Sequence, residues 1–224
     1  MSRTPLKLAV LVSGSGTTLQ NLMDVIARGE LDARVEIVIG SRPGLLGLKR
    51  AAEAGLTHVV VDRAHGDVAS FSKQVFSYCD GLGVDLVCLA GWLCLLDIPP
   101  KYHGRVMNIH PALLPSFGGK GMYGHRVHQA VIDHGCKVSG CTVHFVDATY
   151  DTGPIILQRT CPVLDEDTAE TLARRVFQEE KAAYPEAIRL FQQGRLKVEG
   201  RRVKVLPEPT SAPPAELAAE TRTP

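Results

Sequence analysis

The stretch Asn108-Ile109-His110-Pro111-Ala112-Leu113-Leu114-Pro115 follows an apolar-leaning run, Arg105-Val106-Met107, which predicts the end of a buried strand. Residues i and i+2 of an extended chain point to the same face, so the Asn108 amide and the His110 imidazole converge on one point. Pro111 restricts His110 to extended geometry, and a second proline stiffens the exit. Alone, such a histidine is usually only a hydrogen-bonded strand residue. The asparagine, the prolines and an acidic loop downstream favour a functional site.

Outward from this stretch, the sequence predicts alternating strands and helices. Strands that are apolar throughout and alternate with helices are typical of a parallel sheet covered on both faces. We therefore predict an α/β fold with an open, mostly parallel, twisted sheet. Its C-terminal part adds antiparallel strands, a long helix and a hairpin. The predicted strands cover 6–12, 35–39, 59–61, 86–89, 106–109, 139–146 and 155–159, the helices cover 19–28, 45–54, 68–81 and 168–193, and the hairpin covers 197–205.

Length and composition indicate one ordinary globular domain. The 224 residues are assigned to a single domain over 1–206 with two halves, 6–105 and 106–206; the first holds the predicted phosphate site and the second the Asn108 stretch. The segment 207–224 is rich in Pro, Ala, Thr and Glu, and is predicted to be a disordered tail. The formal net charge of +1 argues against a general nucleic-acid binder.

The sequence gives no sign of a membrane segment, an export signal or a metal site. It lacks an apolar run near the roughly 20 residues that span a bilayer, and its N-terminus lacks a signal-peptide core, so we expect a cytoplasmic protein. The six cysteines show no CxxC spacing and several lie in apolar runs, which predicts buried, reduced thiols. His125 and His128 share one face of a possible helix, but they lack a Cys or acidic partner, so no metal is predicted.

The glycine loop Ser13-Gly14-Ser15-Gly16-Thr17-Thr18 follows the first strand. Gly14 and Gly16 let the backbone bend so that its N–H groups point at an anion, and Thr17 and Thr18 add hydroxyl donors at a helix N-terminus. The loop predicts a phosphate site. It is not a P-loop, since no Gly-Lys-Ser/Thr follows, and it lacks the third glycine of a dinucleotide fingerprint. The alternative is a tight turn that binds nothing.

Ligands of parallel sheets bind beyond the C-terminal ends of the strands. The glycine loop, the loop after Leu89 and the Asn108 stretch all follow such ends, and we expect them to line one cleft. The loop 90–96 is apolar and carries the only Trp, which suits a flat heterocycle. Simple core packing explains each of its leucines equally well.

Two carboxylates complete the candidate site. Asp151 lies in a turn defined by Gly153 and Pro154, where it is expected to face His110, raise its pKa and hold its orientation. The alternative is an aspartate that bonds only its own turn. Glu180 falls on the apolar stripe of the long helix, where a carboxylate is costly unless it is paired or meets a ligand. A polar substrate group and a nearby arginine remain equal alternatives as its partner.

Several segments together resemble the folate-dependent formyltransferases that act on phosphoribosylglycinamide in purine synthesis. The resemblance covers about residues 8–205 and is carried by 13–20, 108–115, Val143-His144-Phe145-Val146 and 151–156. It implies the Rossmann-like fold of that family. It also implies 10-formyltetrahydrofolate as cosubstrate, glycinamide ribonucleotide as acceptor, and no metal.

The resemblance also implies residue roles. The catalytic residues would be Asn108, His110 and Asp151. The nucleotide would contact Gly14, Ser15, Gly16, Thr17, Thr18 and Glu180. The folate would lie against Leu93, Cys94, Leu95, Leu96, Asn108, Val146, Asp147 and Asp151, and Pro111, His144 and Gly153 would support the site. Thr18 stands where the family usually has Asn, and Cys94 where many members have Arg.

The implied mechanism is direct attack of the acceptor amine on the formyl carbon. Asn108 and a protonated His110 would stabilise the oxyanion, and Asp151 would keep His110 charged. A formyltetrahydrofolate deformylase and a sugar-nucleotide N-formyltransferase remain alternatives. The deformylases usually carry an extra N-terminal domain, and methionyl-tRNA formyltransferases carry a C-terminal RNA-binding domain. Another alternative is a nucleotide-binding module with a decayed site. A monomer and a homodimer are both left open.

Overall fold

The computed structural model describes residues 4–63 and 66–208, and within them the chain forms nine strands and five α-helices. The strands are β1 (Leu6–Val12), β2 (Ala33–Gly40), β3 (His58–Val60), β4 (Leu86–Leu89), β5 (Val106–His110), β6 (Val138–Phe145), β7 (Ile155–Pro162), β8 (Leu196–Glu199) and β9 (Arg202–Val205). The helices are α1 (Thr17–Ala27), α2 (Leu46–Glu53), α3 (Val68–Gly81), α4 (His125–Asp133) and α5 (Ala169–Gln192).

The strands form one sheet in the order β3-β2-β1-β4-β5-β6-β7-β9-β8. The first five in that order are parallel, and β6 is antiparallel to both β5 and β7. The antiparallel β8–β9 hairpin joins the edge of β7 through β9, which runs parallel to β7. Along β1, Leu8 and Val10 belong to one buried cluster, whereas Ala9 and Leu11 belong to another. Because successive strand residues face opposite sides, the sheet is covered on both faces, and the predicted α/β fold is confirmed.

The structure differs from the sequence-based elements mainly at edges and in the middle of the chain. β3 is an edge strand, and its His58 and Val60 are exposed rather than buried. Helix α4 was not predicted, and β7 runs three residues past Arg159 to Pro162. The single domain over 1–206 stays a prediction, and residues 209–224 of the predicted tail lie outside the described residues.

Helix α5 is tied to the parallel half of the sheet at two points. Pro185 has no N–H, so the carbonyl of Lys181 lacks its helical partner, and Asn21 on α1 donates to it at 3.1 Å. One turn away, the buried Tyr184 hydroxyl lies 3.1 Å from the Leu89 carbonyl and 2.9 Å from that of Met107. These bonds set the middle of α5 above the ends of β4 and β5.

The described residues include no helix with the length and apolar character needed to cross a membrane. Four cysteines are buried and two are half-buried, and all six are free thiols: Cys79, Cys88, Cys141 and Cys161, then Cys94 and Cys136. Burial raises the pKa of the Cys88 thiol to about 12, which makes this thiol a poor nucleophile.

Candidate active site

A cavity of about 670 Å³ opens at the C-terminal edge of the parallel strands. Its walls come from the loops after β1, β4 and β5, from the segment that leads into α4, and from one face of α5. This places the candidate site where an open α/β sheet is expected to hold its ligand. The sequence-predicted residues on its wall are Gly14, Ser15, Gly16, Thr17, Thr18, Leu93, Asn108, His110, Pro111, Asp151 and Glu180.

The glycine loop turns its carbonyl groups away from the cavity. The Gly14 carbonyl accepts from the Gly47 N–H at 3.1 Å, and the Ser15 carbonyl accepts from Arg50 Nε at 2.9 Å. Gly16 has a φ of 72°, and a Cβ there would lie 2.5 Å from the Cα of Gly47. Both the left-handed backbone and the close approach of α2 therefore require glycine at position 16.

Helix α1 begins directly after this loop at Thr17, and no side chain caps its N-terminus. Its first N–H groups and its partial positive charge are therefore available to an anion in the cavity. Thr17 is exposed and Thr18 is 9% exposed, and both line the cavity wall. This geometry suits a phosphate group.

Asn108, His110 and Asp151 converge in the cavity wall, and the buried His144 lies beside them on the wall of a smaller cavity. His110 Nδ1 lies 3.5 Å from Asp151 Oδ2, and Asn108 Nδ2 lies 3.4 Å from Asp151 Oδ1. Asn108 Nδ2 is also 3.2 Å from His144 Nε2, while His144 Nδ1 is 2.8 Å from the Phe145 carbonyl. His144 Nε2 also lies 3.7 Å from Asp151 Oδ1, so Asn108, His144 and Asp151 form one polar cluster.

The turn that presents Asp151 is held in an unusual backbone conformation. Asp151 has a φ of 57°, which only a small fraction of non-glycine residues adopt. A Cβ at Gly153 would lie 1.8 Å from the Phe145 carbonyl oxygen, so only glycine fits against β6. The Gly119 N–H donates to Asp151 Oδ2 at 2.9 Å. Strain of this kind is common where a side chain is fixed for function.

Burial and Asp151 act on the pKa of His110 in opposite directions. Burial lowers the pKa of His110 below its ordinary value, and the Asp151 charge and the Phe117 carbonyl offset this only in part. Asp151 acts in the expected direction, toward a higher pKa of His110, although burial outweighs it in the free protein; that Asp151 keeps His110 charged during a reaction stays a prediction. For Asp151, burial acts to raise the pKa, but His144, His110 and the Gly119 N–H outweigh it and lower the pKa.

Both ring nitrogens of His110 meet protein acceptors. Nε2 donates to the Phe117 carbonyl at 2.8 Å, and Nδ1 faces Asp151. Phe117 itself has a φ of 53°, so the loop that carries this carbonyl is also conformationally costly. In this arrangement His110 donates to its own chain and not into the cavity.

The predicted folate-binding residues are divided among several environments. Cys94, Leu95, Leu96 and Val146 line a second cavity of about 40 Å³, which shares Asn108 and Asp151 with the first. Asp147 lines neither of these two cavities. Its carboxylate accepts from the Thr149 N–H at 3.0 Å and the Thr152 hydroxyl at 2.7 Å, so it stabilises its own turn.

The only tryptophan belongs to the core. The Trp92 ring stacks on Phe71 with a centroid distance of 5.8 Å and an interplanar angle of 14°. It is buried in the cluster on one face of the sheet. The packing explanation for this residue is therefore the stronger one, although the ring also forms part of both cavity walls.

Glu180 lines the main cavity without a hydrogen bond or an ion pair to any residue the structure describes. Burial raises its pKa from 4.5 to about 8. The alternative that a nearby arginine pairs with Glu180 is not found among the described residues. Arg159 pairs instead with Glu179 and Glu186 on the same helix. Among the described residues, no group of three or more His, Cys, Asp or Glu could hold a metal ion.

Sequence reasoning missed the wall contributed by α4 and the segment before it. Arg126 and His128 line the cavity together with Lys120 and Tyr123. The available signal was the spacing of Val127 and Val131, which are both buried one helical turn apart. That spacing predicts a short amphipathic helix, and His128 follows on its buried side.

The parallel sheet, the glycine loop and the adjoining Asn–His–Asp group define an α/β protein whose cavity is bordered by an uncapped helix N-terminus and by acid–base side chains. The chain belongs to the formyl transferase family, whose family model, described as formyl transferase, matches residues 6–188. The family resemblance predicted from the sequence is confirmed.

Named relatives agree with this assignment. The chain is 35% identical over 195 residues to the phosphoribosylglycinamide formyltransferase of Haemophilus influenzae, covering 86% of this chain and 90% of that protein. It is 38% identical over 195 residues to the trifunctional purine biosynthetic protein adenosine-3 of Gallus gallus, covering 86% of this chain and 19% of that protein. The chain thus spans about a fifth of the length of such trifunctional relatives.

A solved structure has the same fold. The crystal structure of glycinamide ribonucleotide transformylase 1 from Symbiobacterium toebii superposes with a TM-score of 0.83 at 44% sequence identity. The match covers 92% of this chain and 96% of that chain.

Proposed function

We propose that this chain transfers the formyl group of 10-formyltetrahydrofolate to the amine of 5′-phosphoribosylglycinamide. The proposal rests on one observation, the set of residues that border the main cavity. An anion-binding loop, a carboxylate without a protein partner and the Asn108–His110–Asp151 group all border the same space. The names of the relatives support formyl transfer to phosphoribosylglycinamide.

The nucleotide would enter with its phosphate on the glycine loop. N–H groups of the loop and of the α1 N-terminus would bind the phosphate, with Thr17 and Thr18 adding their hydroxyls. Glu180 would then bind a polar group of the nucleotide. Burying the Glu180 carboxyl group without a partner destabilises the free protein, which is consistent with a group whose partner is a ligand.

The chemistry is a nucleophilic acyl transfer. The acceptor amine attacks the formyl carbon, and negative charge develops on the formyl oxygen. The bond between this carbon and N10 of the folate then breaks, and a proton passes from the amine to N10. The products are formylglycinamide ribonucleotide and tetrahydrofolate, and no covalent enzyme intermediate is needed.

Asn108 and His110 would stabilise the oxyanion. The Asn108 amide already borders the cavity, and one well-placed donor contributes about 10²–10³ in rate. For His110 to donate as well, its Nε2–H must exchange the Phe117 carbonyl for the formyl oxygen. Growth of the negative charge raises the affinity of His110 for a proton, and Asp151 supports that charge from the Nδ1 side.

The folate would lie across the boundary between the two cavities. Its pterin would contact Cys94, Leu95, Leu96 and Val146 in the smaller cavity, next to Asn108 and Asp151. This cavity, of about 40 Å³, must widen as the pterin enters. No metal, nucleic acid or membrane takes part in the proposed reaction, and a cytoplasmic location stays a prediction.

A product assay by mass spectrometry tests the proposal. The protein is incubated with 10-formyltetrahydrofolate, with and without glycinamide ribonucleotide. We expect formylated nucleotide only when the acceptor is present. Formate released at full rate without acceptor would identify a deformylase instead. Formylation of an amino-sugar nucleotide in preference to glycinamide ribonucleotide would favour the sugar-nucleotide enzyme.

A further inference from the structure

His128 is a buried polar residue of the cavity wall with no protein partner. It lies on α4, is 4% exposed and lines the main cavity. Its Nδ1 atom is enclosed and unpaired, and neither ring nitrogen makes a hydrogen bond to a residue that the structure describes. Buried imidazoles usually find a partner, because an unpaired polar group costs about 1–3 kcal/mol. Nε2 is unpaired but not fully enclosed, so it is the ring atom that can meet a ligand in the cavity.

The surroundings of His128 define the kind of ligand atom it can bind. Burial, with smaller effects of His125 and His110, lowers the pKa of His128 to about 4, so the ring is neutral near pH 7. A neutral ring is a poor counterion for a phosphate. An enclosed N–H without a partner is rarer than an enclosed lone pair, so the proton belongs on Nε2 and Nδ1 is the enclosed lone pair. His128 therefore offers one N–H donor to an uncharged oxygen.

The position of His128 indicates which part of the acceptor carries this oxygen. His110 and His128 line the same cavity, and α4 packs beside the loop that bonds His110: the ring of His134 at the end of α4 lies 5.3 Å from that of Phe117, whose carbonyl accepts from His110 Nε2. His110 belongs to the reacting end of the proposed site, whereas the phosphate would bind at the glycine loop. We propose that His128 is a specificity residue that donates from Nε2 to the amide carbonyl of the glycinamide arm of the acceptor. This inference rests on the proposed function.

Two ligands distinguish the binding of the glycinamide arm from the binding of the rest of the acceptor. Glycinamide ribonucleotide carries the amide arm, and ribose 5-phosphate has the phosphate and the sugar without it. Calorimetric titration of wild type and His128→Leu measures both. We expect the Kd for glycinamide ribonucleotide to rise about 5- to 50-fold in His128→Leu, while the Kd for ribose 5-phosphate stays within twofold. His125→Leu, an exposed change at the start of the same helix, should alter neither value.

The free protein supplies an independent readout. Leucine has a similar shape and removes the unpaired nitrogen, so the melting temperature of His128→Leu should equal or exceed that of the wild type. If His128→Leu melts lower, two further measurements decide. His128→Gln, which keeps a donor, should bind glycinamide ribonucleotide more tightly than His128→Leu. In the ¹⁵N-histidine spectrum of the wild type, the His128 signal should shift with glycinamide ribonucleotide and stay in place with ribose 5-phosphate.

Equal affinities of His128→Leu and wild type for glycinamide ribonucleotide would overturn the inference, as would an unmoved His128 signal. Equal loss for both ligands would also overturn it, because the contact would then be to the sugar. A wild type that binds no glycinamide ribonucleotide would instead contradict the proposed function.

Discussion

Replacement of Glu180 by Gln should stabilise the free protein at pH 8 and have little effect at pH 4. The pKa of Glu180 is about 8 in the fold against an ordinary value of 4.5. The folded protein thus holds the Glu180 proton more tightly than the unfolded chain does. The stability that this proton contributes is present in full below pH 4.5 and is lost as the pH rises through 8. Glutamine has no proton to lose and keeps its contribution throughout.

The size of the effect follows from the pKa difference. Each pH unit between the two pKa values changes the free energy of unfolding by about 1.4 kcal/mol at most. Glu180 keeps access to the cavity, where water screens its charge, so we expect about half of that slope. Between pH 5 and pH 8 the stability gap should therefore widen by about 2 kcal/mol. For a protein of this size that corresponds to about 4–8 °C in Tm.

Thermal unfolding of both proteins at several pH values measures this gap. Glu179→Gln is the matched control, because its carboxylate lies on the same helix and faces Arg159. Its Tm difference from wild type should not widen along the same pH course. A Tm gap for Glu180→Gln that is constant with pH would refute the assignment of a neutral, partnerless carboxyl in the cavity. The variant should also bind the nucleotide more weakly, which calorimetry can measure.

Other predictions concern the glycine loop. A Cβ at Gly14 meets no atom within 4 Å, so Gly14→Ala should leave Tm unchanged while its methyl group raises the Kd for ribose 5-phosphate. Gly16→Ala should lower the free energy of unfolding by at least about 2 kcal/mol in denaturant titration, because of its positive φ and the contact with α2. Thr17→Ala should raise KM for the nucleotide with little change in kcat, and an unchanged KM would remove Thr17 from the phosphate site.

The parallel half of the fold could be predicted because its signals are local. The apolar runs of β1 and β4 and the pattern of α3 give the same bounds in sequence and structure. The helix α4 gave a weak signal, since its nine residues follow a glycine-rich segment and carry two histidines. Which residues of α4 are buried and which are exposed depends on the packing of α5 beside it.

The residues of the candidate site could be predicted from the sequence, but the pKa of His110 could not. Asn108 and His110 lie on the same strand face, and Asp151 lies close to both, as the spacing and the defined turn indicated. The pKa of His110 depends on its burial, and the Phe117 carbonyl approaches it from a loop whose path no local rule predicts. The unpaired Nδ1 of His128 is likewise a product of tertiary packing.

The central claim is that the Asn108–His110–Asp151 group performs the chemistry while other residues hold the nucleotide. Single-turnover formation of formylated nucleotide by His110→Ala, with both substrates saturating, tests it most directly. His58→Ala, on the exposed edge strand β3, is the control. We predict a rate about 10²–10³-fold below wild type, with the Kd for glycinamide ribonucleotide within about twofold. An unchanged rate, or a rate and an affinity that fall together, would contradict the account.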